Sequence, residues 1–575
     1  MVNTQQTITI PLRPSPWNPK TAWGVGVLLA LGLAAYQTGL GRPGTLVNLG
    51  GWPQLQEFLA ASLRPDLSPE FVVLIGRAAL VTLAYAVLGT ALSVGLGLGG
   101  GLLSSAVGWQ TVFPRDPWGL RQGLWRGVRG LLAFPRAIHE LIWGLVLVQV
   151  LGLNPLVGVL AIAIPFGAIV AKVFSEILDE TPRAPLQALI NAGTPPLAAL
   201  VYGLLPQALP NLLSYTFYRF ECSLRASAVL GIIGAGGLGY EIFLSLQSLR
   251  YDQLWTGFYA LIVLNGAVDA WSALVRRRMG FTSRLDLNRQ PGQAPARPAS
   301  QPPRQDRLLQ LSWMGVVLAL PLCWWLLDLD VAVLWSARTQ RLAGELLATG
   351  WPALPTGAEL LTLARLSWLT VAMSMVAMAL AGLGGMVFSL PAAQNFLLPG
   401  GLLAPVGQRG GQPLAYGLLG LSRLVLLVSR AIPAPIWALV LLYVLFPGLL
   451  PGALALALHN FGILGRLMAE VNENLDDRPV RALATLSAGP GAVVAYGILP
   501  QNLGRFLAYI LYRWEVCLRE TVVVGLVGAG GLGRLLTEQI SSFDYGGVLI
   551  TLAVFVALTA AVDGVSQQLR GVLRE

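Results

Sequence analysis

Three ionisable side chains recur at fixed spacing in two apolar stretches. Arg219, Glu221 and Arg225 stand in YRFECSLRAS, and Arg513, Glu515 and Arg519 stand in YRWEVCLRET. Ionisable groups inside a bilayer are costly, so they face a bundle interior or a path and pair with one another. Glu221 and Arg225 are four residues apart, as are Glu515 and Arg519, so each pair can meet on one helix face. One arginine per copy is then left in excess. Two copies facing a common axis would make a positive centre suited to a small anion. A structural network that locks helices together accounts for the same residues, and both readings stand on the sequence alone. Glu520 adds an acid to the second copy and weakens the positive excess there.

The clusters belong to a longer repeat. The stretch YGLLPQALPNLLSYTFYRFECSLRASAVLGIIGAGGLG ends at Gly239, and YGILPQNLGRFLAYILYRWEVCLRETVVVGLVGAGGLG ends at Gly533, at a constant offset of 294 residues without a gap. Each holds a Leu-Pro-Gln turn and a glycine-rich tail. The same offset relates Arg136 to Arg430, Lys172 and Glu176 to Arg466 and Glu470, and Asp269 to Asp563. A period this long excludes a solenoid and means two domains of one fold.

Composition says where they lie. The chain is 55% hydrophobic and 11% charged, with mean hydropathy +0.65; soluble domains carry about 25% charged residues. The net charge of +10 fits arginines retained on cytoplasmic loops, and no basic domain stands apart to bind nucleic acid. Cys222, Cys323 and Cys517 sit in apolar runs and form no disulfide framework. His139 and His459 have no matching histidine in the other copy, so no metal site is expected. No cleavable signal is evident.

A span needs about 20 apolar residues. Candidates fall at 21–41, 71–105, 130–153, 155–177, 206–233 and 254–274, and again at 311–327, 361–390, 424–446, 449–471, 500–527 and 548–565. The expected fold is therefore an all-α membrane protein of two parallel repeats, each of about six transmembrane helices. Residues 1–20 form a cytoplasmic tail, 21–278 the first repeat, 279–309 a proline-rich cytoplasmic linker and 310–575 the second repeat. Arginines at 115–129, 276–278 and 570–574 put both termini in the cytoplasm.

The polar stretch before each Leu-Pro resembles the EAA loop of ABC-importer permeases. Gln187, Ala188, Gly193, Leu205 and Pro206 follow its spacing, with Gln187 where glutamate is usual. Arg481, Ala482, Leu499 and Pro500 follow it again, while Ser487 replaces the glycine, a departure that would make the second turn less sharp. Two short helices meeting at a glycine make a knob that an ATPase can grip; an ordinary surface helix-turn-helix is the plainer reading of one copy. The chain's two lysines, Lys20 and Lys172, lie outside any Gly-Lys-Ser/Thr context, so the P-loop engine must be a separate subunit. The GAGGLG tails match a dinucleotide fingerprint only in letters, because a membrane helix precedes them.

RAIPAPIWALV at Arg430, HNFGILGRLMAEVNENLD at His459, YILYRWEVCLRETVVVGLVGAGGLG at Tyr509 and FDYGG at Phe543 resemble the membrane subunit of phosphonate-type ABC importers, over the later four spans of each half. The resemblance implies a fused permease in a prokaryotic inner membrane that binds no cofactor itself. It implies two ATPase subunits, an extracytoplasmic solute-binding protein and ATP-driven import of phosphonate, phosphite or phosphate. Another small solute such as an amino acid is the alternative; an ion-coupled transporter would lack the docking loops, and no nucleophile, base or metal set marks an enzyme.

Overall fold

The structure is a computed structural model that describes residues 19–40, 48–114, 119–278, 307–349, 355–398, 401–402, 412–486 and 488–574. Most of the expected tail and linker, at 1–18 and 279–306, lies outside the described residues, as does Ser487. The regular elements described are all helical. In the first repeat they include α1 (Pro19–Thr38), α2 (Pro69–Ser104), α3 (Leu120–Ala137), α4 (Glu140–Leu151), α5 (Pro155–Glu180), α6 (Ala184–Asn191), α7 (Leu205–Leu230), α8 (Leu238–Gln247) and α9 (Tyr251–Arg278). The second repeat follows with α10 (Arg307–Leu326), α11 (Gly357–Ala392), α12 (Gln412–Ala431), α13 (Ala434–Leu441), α14 (Leu449–Glu473), α15 (Arg478–Thr485), α16 (Leu499–Val524), α17 (Gly531–Ser541) and α18 (Tyr545–Arg574).

Among the described residues, 9 helices are long and apolar enough to cross a membrane, or 10 if a bent pair counts as one. Helix occurs at each of the twelve expected places. Helix α1 holds a shorter apolar run, Ala22–Thr38, among the described side chains, and α16 falls outside the count because it carries Arg505, Arg513, Glu515, Arg519 and Glu520. The span expected at 130–153 is not straight: it is α3 and α4, bent by 86°. The chain is extended at Ile138 and His139, and the His139 ring accepts the Leu141 N–H at 3.2 Å to start the next helix. The span expected at 424–446 breaks in the same place, between α12 and α13. There Pro433 disfavours helix in Ile432, and Pro435 sits in the first turn of α13.

Helix α2 has 36 residues, about 54 Å at 1.5 Å per residue, so it must tilt or project beyond a hydrocarbon layer of about 30 Å. Its glycines let α5 approach closely: a Cβ on Gly97 would lie 2.3 Å from Val170 Cγ1, and one on Gly101 2.9 Å from Phe174 Cβ. The GAGGLG tails are closely packed as well. Gly234, Gly236 and Gly237 have φ of +94°, +82° and +76°, values that favour glycine, and the Leu238 N–H donates to Thr82 Oγ1 at 2.8 Å. Leu532 and Thr370 repeat that bond at 3.0 Å.

The repeats interlock. Ile138 and Ile142 bury against Val548, Leu552 and Phe555 of α18, while Ile432 and Ile436 bury against Leu254, Phe258 and Leu261 of α9. Each broken helix thus packs on the last helix of the other repeat. The first helices are exchanged too: Ala34 of α1 buries with Ala372, Val376 and Ala377 of α11, and Cys323 and Leu327 at the end of α10 pack with Ala84 and Tyr85 of α2.

The α2–α5 approach yields a matched pair of substitutions. Gly97→Ala should cost about 1–3 kcal/mol through overpacking. Gly95→Ala, with nothing within 4 Å, should be neutral or stabilise by up to about 1 kcal/mol. Thermal unfolding of the purified chain in detergent reads the difference, and equal melting temperatures would contradict the close contact.

Candidate functional site

Two exposed loops and one internal cavity gather the residues singled out in the sequence. In the first loop α6 is followed, after Ala192, by Gly193, whose φ of +82° lies in the left-handed region. The Gly193 and Thr194 N–H groups close the turn on the Ile190 and Leu189 carbonyls, both at 3.0 Å. Leu186 is buried against Leu200 and Leu204, which leaves Gln187 and Ala188 exposed. In the second loop Val480 is buried, and Arg481 and Ala482 are exposed; Arg481 Nε donates to Asp477 at 2.6 Å. The Arg478 backbone N–H beside Asp476, with its side chain, holds that carboxyl below the usual carboxylate range.

The Leu-Pro-Gln segments are not turns. Leu205 and Pro206 lie within a helix that runs from Pro196 to Ala235, so the fifth span starts ten residues before Pro206. A wider π turn at Leu200–Leu204 precedes the proline, with the Leu205 N–H bonded to the Leu200 carbonyl. Pro206 has no N–H to give, and beside it the Gln207 side chain donates to the Gly203 carbonyl at 2.5 Å. Around Leu499 and Pro500 the same device recurs, with a π turn at Val493–Ile498 and Gln501 donating to Gly497 at 2.6 Å. Gln207 and Gln501 therefore bond back onto the π turns beside the prolines. The signal was a polar residue directly after each proline in an apolar run. Each loop is continuous with the helix that carries the charge cluster.

The cavity lies between the repeats, at the breaks after α3 and α12, and encloses about 140 Å³. Of the six clustered residues, Arg219, Arg225, Arg513 and Arg519 line it. Glu221 and Glu515 do not. Glu221 accepts the Ser272 hydroxyl at 2.8 Å and lies 3.5 Å from Arg276 of α9; Glu515 pairs with Arg570 of α18 at 2.7 Å. The expected pairing four residues along each helix is thus replaced by pairing to the sixth span. Arg225 instead donates to the Glu221 carbonyl at 3.4 Å, and Arg519 to the Arg136 carbonyl at 2.9 Å. Arg136 also lines the cavity, whose wall holds five guanidinium groups against two carboxylates, Glu140 and Glu520.

The two central arginines differ. Arg513 donates to Asn460 Oδ1 at 2.5 Å and to Glu520 at 2.6 Å, and Asn460 donates to Glu520 at 3.1 Å, a closed triad. Arg219 is 7% exposed and stacks over the Phe166 ring at 3.8 Å. Its Nε and Nη2 have no hydrogen-bond partner. Lys172 pairs with Glu176 and Arg466 with Glu470, at 3.9 and 3.0 Å.

A duplicated bundle of membrane-length helices with a cation-lined cavity on its pseudo-symmetry axis defines a multi-pass membrane transport subunit. The profile of the binding-protein-dependent transport system inner membrane component matches twice, at residues 124–281 and 418–570. The chain belongs to that family: it is the permease component of an ABC importer in the inner membrane, a transport subunit and not an enzyme, which works with an ATPase and a solute-binding protein. It is 29% identical over 491 residues to the phosphate-import permease protein PhnE of Mycolicibacterium smegmatis, covering 84% of this chain and 83% of that one. It is 32% identical over 252 residues to the phosphite transport system permease protein PtxC of Stutzerimonas stutzeri, covering 44% and 86%. It is 35% identical over 117 residues to the putative cryptic phosphonate transport system permease protein PhnE2 of Escherichia coli, covering 20% and 96%. No solved structure matches the chain.

Removing a charge from each central site should have opposite effects on stability. Glu520→Gln breaks a buried pair and should cost about 3–5 kcal/mol. Arg219→Met removes a buried cation without a hydrogen-bonded counterion, so it should leave thermal unfolding in detergent unchanged or shift it upward. An equal loss in both variants would make Arg219 a structural member like Arg513.

Proposed function

We propose that this chain forms the whole translocation pathway of an ATP-driven importer for a small phosphorus oxyanion: phosphate, phosphite or phosphonate. The observation that carries the reading is the cavity between the repeats, where guanidinium groups outnumber carboxylates. Such a wall attracts an anion, because charge interactions strengthen where water is sparse. Relatives named for phosphate, phosphite and phosphonate transport support the choice of anion. Arg219, Arg225, Arg513 and Arg519 line the path, while Glu221 and Glu515 hold the fifth span to the sixth.

Two ATPase subunits dock on the chain, one on each exposed loop. The first contacts Gln187, Ala188 and Gly193, and the second contacts Arg481, Ala482 and Ser487. ATP binds to those subunits and not to this chain. Leu205, Pro206, Leu499 and Pro500, inside helices continuous with the loops, transmit the ATPase motion to the cavity as a stiff rod would. Both termini face the cytoplasm with the loops, and the solute-binding protein delivers its ligand from the opposite side.

Cells lacking their own phosphorus importers test this reading when given the chain with its neighbouring ATPase and binding protein. Uptake of labelled phosphate, phosphite or methylphosphonate should require an intact ATPase. Failure to take up all three, from a complex that assembles and hydrolyses ATP, would discard the phosphorus assignment. Gly193→Val forces a β-branched residue into a left-handed turn, at about 1–2 kcal/mol. It should weaken co-purification of the ATPase while leaving the chain folded; unaltered co-purification would remove the first loop from the docking surface.

A further inference from the structure

The repeats differ at two equivalent positions, and both differences act on the same arginine. Phe166 of α5 stands where the second repeat has Asn460 of α14. Ala226 of α7 stands where it has Glu520 of α16. In the second repeat Asn460 and Glu520 take the Nε and Nη2 donors along one edge of Arg513. In the first repeat neither partner exists. Phe166 instead supports the flat face of Arg219, which leaves Nε and Nη2 without acceptors in a side chain more than nine-tenths buried. A face-stacked guanidinium presents two parallel N–H groups along its edge, the geometry that grips two oxygens of one anion. Leaving such donors buried and unmet is costly, and removing the carboxylate is the step that opens them.

We propose that the cavity holds a single small tetrahedral oxyanion on Arg219, in the place that the Glu520 carboxylate takes in the second repeat. The pathway then has one anion site in the membrane and not a symmetric pair, since the equivalent site on Arg513 is filled by the chain's own acid. Arg136, Arg225 and Arg519 line the same cavity and add positive charge around the bound ion. The volume of about 140 Å³ admits an ion of a few heavy atoms. This inference rests on the reading that the chain moves a small anion, and it adds where the anion stops.

The symmetry of the chain supplies the test. The double variant Phe166→Asn/Ala226→Glu writes the closed triad of the second repeat into the first, where the introduced carboxylate would neutralise Arg219 as Glu520 neutralises Arg513. The full chain is assembled with its ATPase in lipid nanodiscs, without the solute-binding protein. Binding of labelled inorganic phosphate is then measured, with sulfate as competing anion and glycine as a net-neutral control. Wild type should bind phosphate and ignore glycine. The double variant should lose binding and uptake by about tenfold or more while unfolding no earlier than wild type. If it is unstable, Arg219→Gln removes the charge without added bulk and should show the same loss.

Phosphate binding unchanged in both variants would overturn the site. So would a wild-type complex that binds no anion at millimolar concentration, even if uptake of phosphate is intact. Binding of sulfate but not phosphate, lost in the double variant, would keep the site on Arg219 and discard the phosphorus assignment alone.

Discussion

An ionised side chain withdrawn from water has to find an opposite charge or a set of hydrogen bonds, and most of this molecule's tertiary order follows from that demand. Glu221 and Glu515 sit in mid-helix where water is scarce, and each draws an arginine from the last helix of its own repeat. Arg430, at the break after α12, reaches across the repeat boundary to Asp269. The carboxylates that would serve the cavity arginines are thereby committed elsewhere. Positive charge accumulates on the axis because the acids are employed in holding helices together. The structural network and the anion path, alternatives when only the sequence is considered, are two results of one distribution of partners.

The backbone obeys the same accounting. A proline within a long helix removes one donor, and in an apolar setting the orphaned carbonyl has no water to turn to. Both repeats widen the helix by a π turn ahead of Pro206 and Pro500, and the glutamine after each proline donates its side chain to a carbonyl within that turn. The result is a helix that runs unbroken from the loop to the charge cluster in the first repeat. The helices that are allowed to break do so at Ile138 and Ile432, beside the cavity. Stiffness and bending are thus assigned to different spans, the stiff ones leading out to the loops and the bent ones lining the centre.

Much of this was legible in the residues. The offset of 294 predicted two copies of one fold, and the helices follow it: α6 and α15, and α7 and α16, start and stop at equivalent positions. Glu520 was visible as an extra acid that offsets positive charge in the second copy. What escaped was long in range. Spacing of four residues put Arg225 beside Glu221, yet Arg276 lies on another helix, and only packing decides between them. The bends at Ile138 and Ile432 escaped as well, because apolar content measures the length of a span and not its direction. The exchange of Phe166 for Asn460 was written in the sequence from the start. It gained meaning only when Arg219 and Arg513 were found beside those two positions.

The exchanged first helices bear on how the two halves stay together. Helix α1 is bedded on α11, and α10 on α2, so each half holds an arm of the other. The peptide that joins the repeats is therefore not the only thing uniting them: two chains carrying the same arms would clasp in the same way. Fusion changes the odds of meeting, and it fixes one of each half in every molecule. That fixed ratio is what allows the halves to drift apart in chemistry, one keeping its arginine open and the other closing it, without the risk of assembling two open or two closed halves by mistake.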